Sequence, residues 1–371
     1  MRSHLECAQL SAPEETRMSG SVTRESGSLA QSDIDSLAEA RNPKIVVVGC
    51  GGGGTNSIHR LNKIGVYGAQ TVAINTDHIH LKTIGADRKI LIGRSITKGF
   101  GAGGLPDVGE RCAKLSEDEI REAVAGADMT FVVASMGGGT GTGVAPFVSQ
   151  LAKKEGSIVI GFATTPFKAE RGRERNAMIG LDNFRKHADS VIVLENDRLL
   201  KIVPNLEFEH ALSVMDQLIS EVIKGITEAI TMPSLINLDL ADVRTVVTSG
   251  GPSTILYGED SAENPENVVA NTLNNPFFEV DYSQATSALI HITTGPSSPI
   301  STVHEVIEGI TSRLNDHAHV IIGVRNDDRD YDEIIKVVTV ITGARSSNLL
   351  GPDAGAAGRH VRSLADIAVI D

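Results

Sequence analysis

The chain contains 371 residues, of which 41% are hydrophobic, 22% charged and 4% aromatic, and its formal net charge is −13. This length allows two domains of ordinary size, each with its own hydrophobic core. Because an acidic protein repels a phosphate backbone and base stacking needs aromatic rings, the composition argues against a nucleic-acid partner.

The cysteines and histidines indicate neither disulfides nor a metal site. Cys7, Cys50 and Cys112 are isolated and form no CxxC pair, which is typical of a reducing compartment. His78 and His80 are interpreted as surface residues that would lie on different faces of a helix. No apolar run approaches the roughly 18 residues of a membrane helix, and the N-terminus lacks the apolar core of a signal peptide. We therefore expect a cytoplasmic protein without direct membrane insertion.

The polar and charged composition of residues 1–43 predicts a disordered extension, in which residues 32–41 have the pattern of a short helix. From residue 44, short apolar runs alternate with helical patterns. The predicted strands are 45–48, 71–74, 89–92, 129–136, 157–164 and 191–194. The predicted helices are 58–64, 107–124, 144–153 and 171–187. A capping box formed by Ser116 and Glu119 is expected to break the second of these helices. The alternation predicts an α/β domain over 44–206, with a parallel, Rossmann-like sheet and helices on both faces.

Residues 208–230 have apolar positions at helical spacing and predict a long central helix, assigned to 207–231, between two domains. Residues 232–344 predict a smaller α+β domain. Its predicted strands are 244–248, 254–258, 288–294, 320–324 and 336–342, and its predicted helices are 261–273 and 301–314. Residues 345–371 predict a flexible tail, in which the apolar residues 364–370 are either a docking peptide for a partner or without function.

Three glycine-rich loops indicate a phosphate site. They are GCGGGGTN at 49–56, GFGAGG at 99–104 and GGGTGTG at 137–143, and glycine lets backbone N–H groups turn toward an anion. The first loop, with Asp77 after the next strand, also fits the dinucleotide fingerprint of a dehydrogenase. A dehydrogenase would not need the second and third glycine loops, and no His or Lys has an evident catalytic partner. Three loops at one sheet edge predict a nucleoside triphosphate, because three phosphates need many donors. Since the P-loop motif GxxxxGK[ST] is absent, we expect the phosphates to be held by backbone N–H groups, by hydroxyls of Thr140 and Thr142, and by a metal ion.

A pair of acids follows the predicted central helix. Asp239 and Asp242 are three residues apart and share one face if the backbone is helical, and Asn237 lies just before them. Such a group could orient a water molecule for attack on a phosphate, or help to hold Mg²⁺. On spacing alone, a helix N-cap with solvated acids is the favoured alternative.

The motifs GCGGGGTN, NTD, GFGAGG, GGGTGTG, PFKAER and NLDLAD occur in that order. This ordered set resembles the tubulin/FtsZ superfamily, and it is more similar to FtsZ, archaeal FtsZ in particular, than to eukaryotic tubulin. The resemblance extends from Lys44 to Gly343. It implies the tubulin/FtsZ fold, in which a GTPase domain is joined by a core helix to a C-terminal activation domain.

The resemblance also implies which residues bind GTP or GDP with Mg²⁺. Glu170 matches the ribose-binding acid, Asp216 the guanine-reading carboxylate and Asn196 a further base contact. Either Arg173 or Arg175 matches a nucleotide-binding arginine, and we favour Arg173. The GTP contacts implied by resemblance are Gly51, Gly52, Gly53, Gly54, Thr55, Asn56, Asn75, Asp77, Gly101, Ala102, Gly103, Gly104, Gly138, Gly139, Thr140, Gly141, Thr142, Glu170, Arg173, Asn196 and Asp216.

The chain departs from the family pattern at a few positions. Leu212 occupies the place where FtsZ usually has a phenylalanine that stacks on the base, and Leu105 replaces a common asparagine. The segment between Glu170 and Asn176 is one residue shorter than in archaeal relatives. The tail lacks the proline-containing docking peptide of bacterial FtsZ.

By the same resemblance, Asn237, Asp239 and Asp242 match the synergy loop, which completes the GTP site of the neighbouring subunit. A contact between opposite faces propagates as an open filament. We therefore expect a self-polymerising GTPase of cell division, located in a ring at the division site and held at the membrane by a tethering protein. The alternative is a weakly hydrolysing GTP-binding scaffold or a regulator of another division polymer.

Overall fold

The computed structural model describes residues 42–249, 253–274, 281–327, 334–344 and 349–350. All of them except Asn42 belong to one compact unit that begins at Pro43. The helix predicted at 32–41, Cys7 and the apolar segment at 364–370 lie outside the described residues.

Within the described residues, the first sheet contains six parallel strands, as the sequence predicts. They are β1 (Ile45–Cys50), β2 (Ala69–Asn75), β3 (Arg88–Leu91), β4 (Met129–Ser135), β5 (Ile158–Thr165) and β6 (Ser190–Glu195). Their order is β6-β5-β4-β1-β2-β3, so the winding direction reverses between β1 and β4. Val47 of β1 lies opposite Thr71 on one side and Phe131 on the other. A reversal of this kind leaves a crevice at the carboxyl ends of the central strands, where α/β proteins bind ligands.

Helices connect these strands. In the described part of the chain they are α1 (Gly51–Ile64), α2 (His78–Thr83), α3 (Arg94–Thr97), α4 (Pro106–Leu115), α5 (Glu117–Val124), α6 (Gly139–Lys154), α7 (Arg171–Arg185) and α8 (Leu199–Ile202). The predicted break at Ser116 is confirmed, but the predicted capping box is wrong. Ser116 has φ −113° and ψ 25°, which is not the extended conformation of an N-cap, and its side chain makes no capping hydrogen bond.

A long helix, α9 (Phe208–Thr231), confirms the predicted central helix and leads to a second sheet. The remaining elements are α10 (Leu240–Thr248), β7 (Ser253–Ser261), α11 (Pro265–Leu273), β8 (Ser287–Thr294), α12 (Ile300–Thr311), β9 (His319–Asn326), β10 (Ile334–Thr342) and β11 (Leu349–Leu350). The second sheet has the order β7-β10-β8-β9, in which β10 is antiparallel to both neighbours and β8 is parallel to β9. β11 pairs antiparallel with β6, an addition to the first sheet that the sequence did not predict.

The hydrophobic core is continuous between the two sheets. Ile45 and Val47 of β1 belong to a buried cluster that includes Ile219 of α9 and residues of the second sheet. Val46 and Val48 point to the other face, into a cluster with α4, α5 and α6. Strand residues alternate between faces, and both faces of this parallel sheet are covered. Burial on both sides explains the uninterrupted apolar run of β1.

The strand predicted at 244–248 is wrong, because these residues belong to α10. The β-branched residues within this range favoured a strand. However, Val243, Val246 and Val247 lie at i, i+3 and i+4, which is one face of a helix, and all three are buried. The side chain of Asp239 caps the helix, so local capping and tertiary burial together outweigh the strand propensity.

Among the described helices, none combines the length and the apolar character that crossing a bilayer would require.

Candidate nucleotide-binding site

The first glycine loop and the signature loop meet at the carboxyl ends of β1 and β4. Gly51 has φ +72°, a conformation that favours glycine, and a Cβ placed on it would lie 2.6 Å from the backbone nitrogen of Gly141. A Cβ on Gly141 would in turn lie 2.6 Å from the carbonyl oxygen of Ser135. The two loops therefore contact each other backbone to backbone, and side chains would separate them.

The signature loop opens α6 without a side-chain cap. Gly138 is the N-cap residue and offers no side chain, so the first-turn N–H groups of α6 lack a capping acceptor. α1 begins in the same way, because its N-cap residue Cys50 makes no side-chain cap bond. Two uncapped helix N-termini at adjacent strand ends provide backbone donors and partial positive charge for an anion.

Threonine hydroxyls connect the loops. Thr76 Oγ1 lies 2.7 Å from Thr140 Oγ1 and links the NTD segment to the signature loop. Thr142 is only 2% exposed, and its Oγ1 accepts a hydrogen bond from the N–H of Gly137 at 2.8 Å. Thr55 Oγ1 donates to the carbonyl oxygen of Gly51 at 2.8 Å. Thr142 and Thr55 therefore stabilise their own loops, whereas Thr140 lies between two loops.

The third glycine loop pairs with the NTD segment. The N–H of Gly101 donates to the Thr76 carbonyl at 3.2 Å, and the N–H of His78 donates to the Gly99 carbonyl at 3.0 Å. Asp77 caps α2, accepting from the N–H groups of Ile79 and His80 through Oδ1. The structure thus brings the segment after β2 and the third loop together at the same edge as the first two loops.

His80, interpreted from the sequence as an ordinary surface residue, is half-buried, with polar contacts on both ring nitrogens. His80 Nε2 lies 3.0 Å from Asn56 Oδ1, and its Nδ1 lies 3.2 Å from Asn75 Nδ2. Asn75 Oδ1 accepts from the N–H groups of Thr76 and Asp77, so its Nδ2 is a donor toward His80. It follows that Nδ1 is the acceptor, and that Nε2–H donates to Asn56. The sequence signal was the Asp77 cap, which places His80 in the first turn of α2 beside the end of β2.

Glu170 and Arg173 border the signature loop. Glu170 Oε2 accepts from Arg173 Nη1 at 2.8 Å, and its Oε1 accepts from the N–H of Phe167 at 3.2 Å. Gly137 has φ +98°, and a Cβ on it would lie 2.8 Å from the carbonyl oxygen of Arg173. The backbone of Arg173 therefore packs against the loop. Sequence reasoning missed Asn176, whose Nδ2 donates to the Gly104 carbonyl at 3.1 Å and ties α7 to the third loop.

Asp216 lies on α9 where that helix packs on α1. Ser57 Oγ donates to Asp216 Oδ1. Burial raises the pKa of Asp216 to about 6, while the hydrogen bond from Ser57 and the positive charge of Arg60 act in the opposite direction. Asn196 begins the turn directly after β6, at the carboxyl-end edge of the sheet.

The aromatic residues near α9 differ from the expected stacking position. Leu212 is partly buried and packs against the main core cluster. One turn earlier, Phe208 is 67% exposed, and its ring centroid lies 5.5 Å from that of Phe167. Phe208 therefore offers an exposed aromatic face one turn before Leu212.

The predicted acids lie apart from the loops within one subunit. Asp239 Oδ1 accepts from the N–H of Asp242 at 2.8 Å, and Asp242 Oδ2 accepts from the N–H of Asp239 at 3.0 Å. This reciprocal pair is a capping box that opens α10. Asn237 Oδ1 accepts from the N–H of Ser234 at 2.9 Å. These residues follow the C-terminal end of α9, about 22 Å along the helix from Asp216 at the usual rise per residue.

Two family models match the chain. The model described as Tubulin/FtsZ family, GTPase domain, matches residues 44–204, and the model described as FtsZ family, C-terminal domain, matches residues 251–345. Strands β1 to β6 lie within the first match, and strands β7 to β10 lie within the second.

Curated proteins and solved structures agree with the family models. The chain is 50% identical over 315 residues to cell division protein FtsZ 2 of Halobacterium salinarum, covering 85% of this chain and 80% of that protein. It is 47% identical over 323 residues to FtsZ 2 of Methanocaldococcus jannaschii, covering 86% and 84%. An M. jannaschii FtsZ structure described as an empty dimer matches with a TM-score of 0.77 and 41% identity, covering 85% of this chain and 93% of that one. The chain therefore belongs to the FtsZ family of tubulin-like cell-division GTPases, whose GTPase domain implies binding of a guanine nucleotide.

Proposed function

We propose that this chain polymerises head to tail with GTP at each contact, and that Asp239 and Asp242 of one subunit act on the nucleotide of the next. The observation that carries this proposal is the separation of the loops and the acids by most of the length of α9. A single subunit cannot close such a site on itself. Two subunits in the same orientation can, and a contact between unlike faces continues into an open filament.

In this proposal the nucleotide site consists of the predicted loop residues together with Glu170, Arg173, Asn196 and Asp216. Asp216 suits guanine, because its carboxylate accepts while guanine N1–H and the N2 amine donate. The family models that match 44–204 and 251–345 support a division into a GTP-binding domain at 44–206, a central helix at 207–231 and an activation domain at 232–344.

Mg²⁺ fits this site only as an ion held largely by the nucleotide. No group of three His, Cys, Asp or Glu side chains in the described part of the chain could hold a metal ion. The hydroxyl of Thr140 and the amide of Asn56 are oxygen donors of the kind that Mg²⁺ accepts beside phosphate oxygens. When bound, the ion would neutralise charge on the β- and γ-phosphates.

Acting in trans, Asp239 and Asp242 would orient the attacking water, with Asn237 beside them. Loss of the γ-phosphate would then weaken the contact between subunits, so assembly would switch on hydrolysis and hydrolysis would promote disassembly. The M. jannaschii FtsZ described as a dimer supports self-association. The names of the curated relatives support a role in cell division, which would take place in a ring at the division site. A tethering protein that recognises residues 364–370 would attach the ring to the membrane.

The test is GTP turnover per subunit measured against protein concentration. A site shared between subunits predicts that turnover rises steeply above a critical concentration, together with the appearance of polymer in a pelleting assay. Turnover per subunit that stays constant across this range would contradict the shared site.

One observation favours a weakly hydrolysing scaffold. The capping box already gives both acids a structural role, because each carboxylate accepts a backbone hydrogen bond of the other residue. A scaffold of this kind would form GTP-dependent polymer with little GDP production. Chromatographic analysis of the nucleotide beside the pelleting assay separates the two, since the polymerising GTPase converts GTP to GDP in proportion to polymer.

A further inference from the structure

Three charged side chains are buried where the central helix meets the second sheet. Glu228 in the last turn of α9, Arg325 on β9 and Asp327 just after β9 are 4%, 5% and 7% exposed. Arg325 Nη2 lies 3.1 Å from Glu228 Oε2 and 3.3 Å from Asp327 Oδ2. Buried ions are costly to desolvate and add little stability, and the best-attested use of such a group is to select one packing register.

Glu228 occupies a position that its charge alone would disfavour, because the C-terminal end of a helix carries partial negative charge. Arg325 compensates on one carboxylate oxygen, and Lys224 Nζ lies 3.9 Å from the other. Arg325 Nη1 also contacts Met232 Sδ at 3.2 Å, directly after the helix. Arg325 thus holds both the last turn of α9 and the first residue beyond it.

The same strand holds the segment that leads to the acids. Ile236 and Val324 exchange both backbone hydrogen bonds at 3.1 Å, on the free edge of β9. Leu238 is buried against Gly323, where a Cβ would lie 2.5 Å from Leu238 Cγ. The residue after Leu238 is Asp239. Consecutive residues of β9 therefore hold the chain from the end of the central helix to the capping box.

We propose that Arg325, through its buried pair with Glu228, is a positioning residue for GTP hydrolysis. It fixes Asp239 and Asp242 relative to α9, and this inference rests on the proposed function. α9 also carries Asp216, about 18 Å from Glu228 at 1.5 Å per residue. We call residues 236–242 the acid segment. In a filament of identical contacts, the position of the two acids relative to the neighbouring nucleotide depends on how firmly the end of α9 and the acid segment are joined.

The test uses the full chain with all three charges neutralised, as E228Q/R325M/D327N, so that no buried charge is left without a partner. We expect GTP affinity of the dilute subunit to stay within about twofold of the unmodified protein, since the loops are untouched. Turnover per assembled subunit should fall about tenfold or more, because a displacement of about 1 Å at a catalytic group costs at least this much.

A matched control separates positioning from stability. Val306→Ala removes buried volume from α12, which packs against α11, and lowers the melting temperature. At a temperature well below both melting transitions, this control should keep normal turnover. Normal turnover in the neutralised variant, or a loss of GTP affinity equal to its loss of turnover, would overturn the inference.

If the neutralised variant does not fold, the variant Arg325→Lys tests the positioning role instead. Lysine keeps the charge, but its single ammonium group lacks the second guanidinium nitrogen, which contacts Met232 while Nη2 contacts both carboxylates. Reduced turnover at unchanged GTP affinity is expected, and unchanged turnover would overturn the inference. Failure of the shared site itself would appear separately, as constant turnover per subunit in the unmodified protein across the concentration series.

Discussion

The two ends of the central helix hold functional segments by different physical means. At the end proposed to bind the nucleotide, Gly51 and Gly141 contact each other through their backbones, and the Thr76 and Thr140 hydroxyls bridge two loops. At the other end, the acid segment lies on β9 beside the buried charges of Glu228 and Arg325. Loops that bind an anion need exposed N–H groups, so side-chain bulk is excluded there. The acid segment offers carboxylates instead, and it depends on side chains for its position.

This difference predicts opposite sensitivities. At the loop end, we expect GTP binding to be lost when a side-chain atom is added to a loop glycine, because the loops are already in contact. At the other end, we expect GTP turnover to be lost when a charge is removed, because the proposed chemistry of the acid segment and its position both depend on charged groups.

The largest effect is expected from Asp242→Asn. An amide oxygen can still accept the Asp239 N–H, so the capping box is kept while the negative charge is lost. We expect normal GTP binding and an unchanged melting temperature, with turnover reduced about a thousandfold, which is within the range for general acid–base groups. Normal turnover would show that capping is the whole role of Asp242 and would contradict its proposed action on the neighbouring nucleotide.

A large loss of GTP affinity is expected from Gly51→Ala. The new Cβ would lie 2.6 Å from the Gly141 nitrogen at a φ of +72°. A cost of about 3 kcal/mol for strain and displacement corresponds to about a hundredfold in the dissociation constant. Gly172→Ala is the matched control, since nothing lies within 4 Å of its Cβ. Equal affinities of the two variants, measured by nucleotide titration, would contradict the backbone contact.

A smaller effect is expected from pH through Asp216. Because burial raises its pKa to about 6, the carboxylate is ionised above that pH and must lose a proton on binding guanine below it. GTP affinity at pH 5 should therefore be about tenfold weaker than at pH 7. Binding curves of Asp216→Asn should lack this dependence, and an identical profile in that variant would exclude Asp216 as the titrating group.

The smallest effect is expected from His80→Ala. Without the Nε2–H donor, Asn56 loses its fixed orientation, and one hydrogen bond of about 1 kcal/mol corresponds to about fivefold weaker GTP binding. His80→Gln keeps a donor near the same place and should restore part of the affinity. The exposed His304→Ala on α12 serves as control. If both His80 variants bind GTP normally, the contact with Asn56 has no role in nucleotide binding.

Local pattern was sufficient for the elements whose signal lies within a few residues. The six parallel strands and the central helix follow from apolar periodicity, and the glycine loops follow from composition. The local sequence pattern was insufficient where contacts with residues distant in sequence determine the secondary structure. Residues 244–248 became helical because Asp239 caps them and the core buries one helical face. Ser116 has the sequence of a capping box, but its backbone is not extended.

The sequence by itself determined the fold class, the loops and the presence of an acid pair, because periodicity, glycine content and ordered motifs are properties of nearby residues. The tertiary structure alone decided which side chains meet. His80 reaches Asn56 across two segments, and Arg325 pairs with Glu228 across 97 positions of sequence. Such pairs leave no local pattern, since each partner alone is an ordinary polar residue, and only folding brings them within hydrogen-bonding distance.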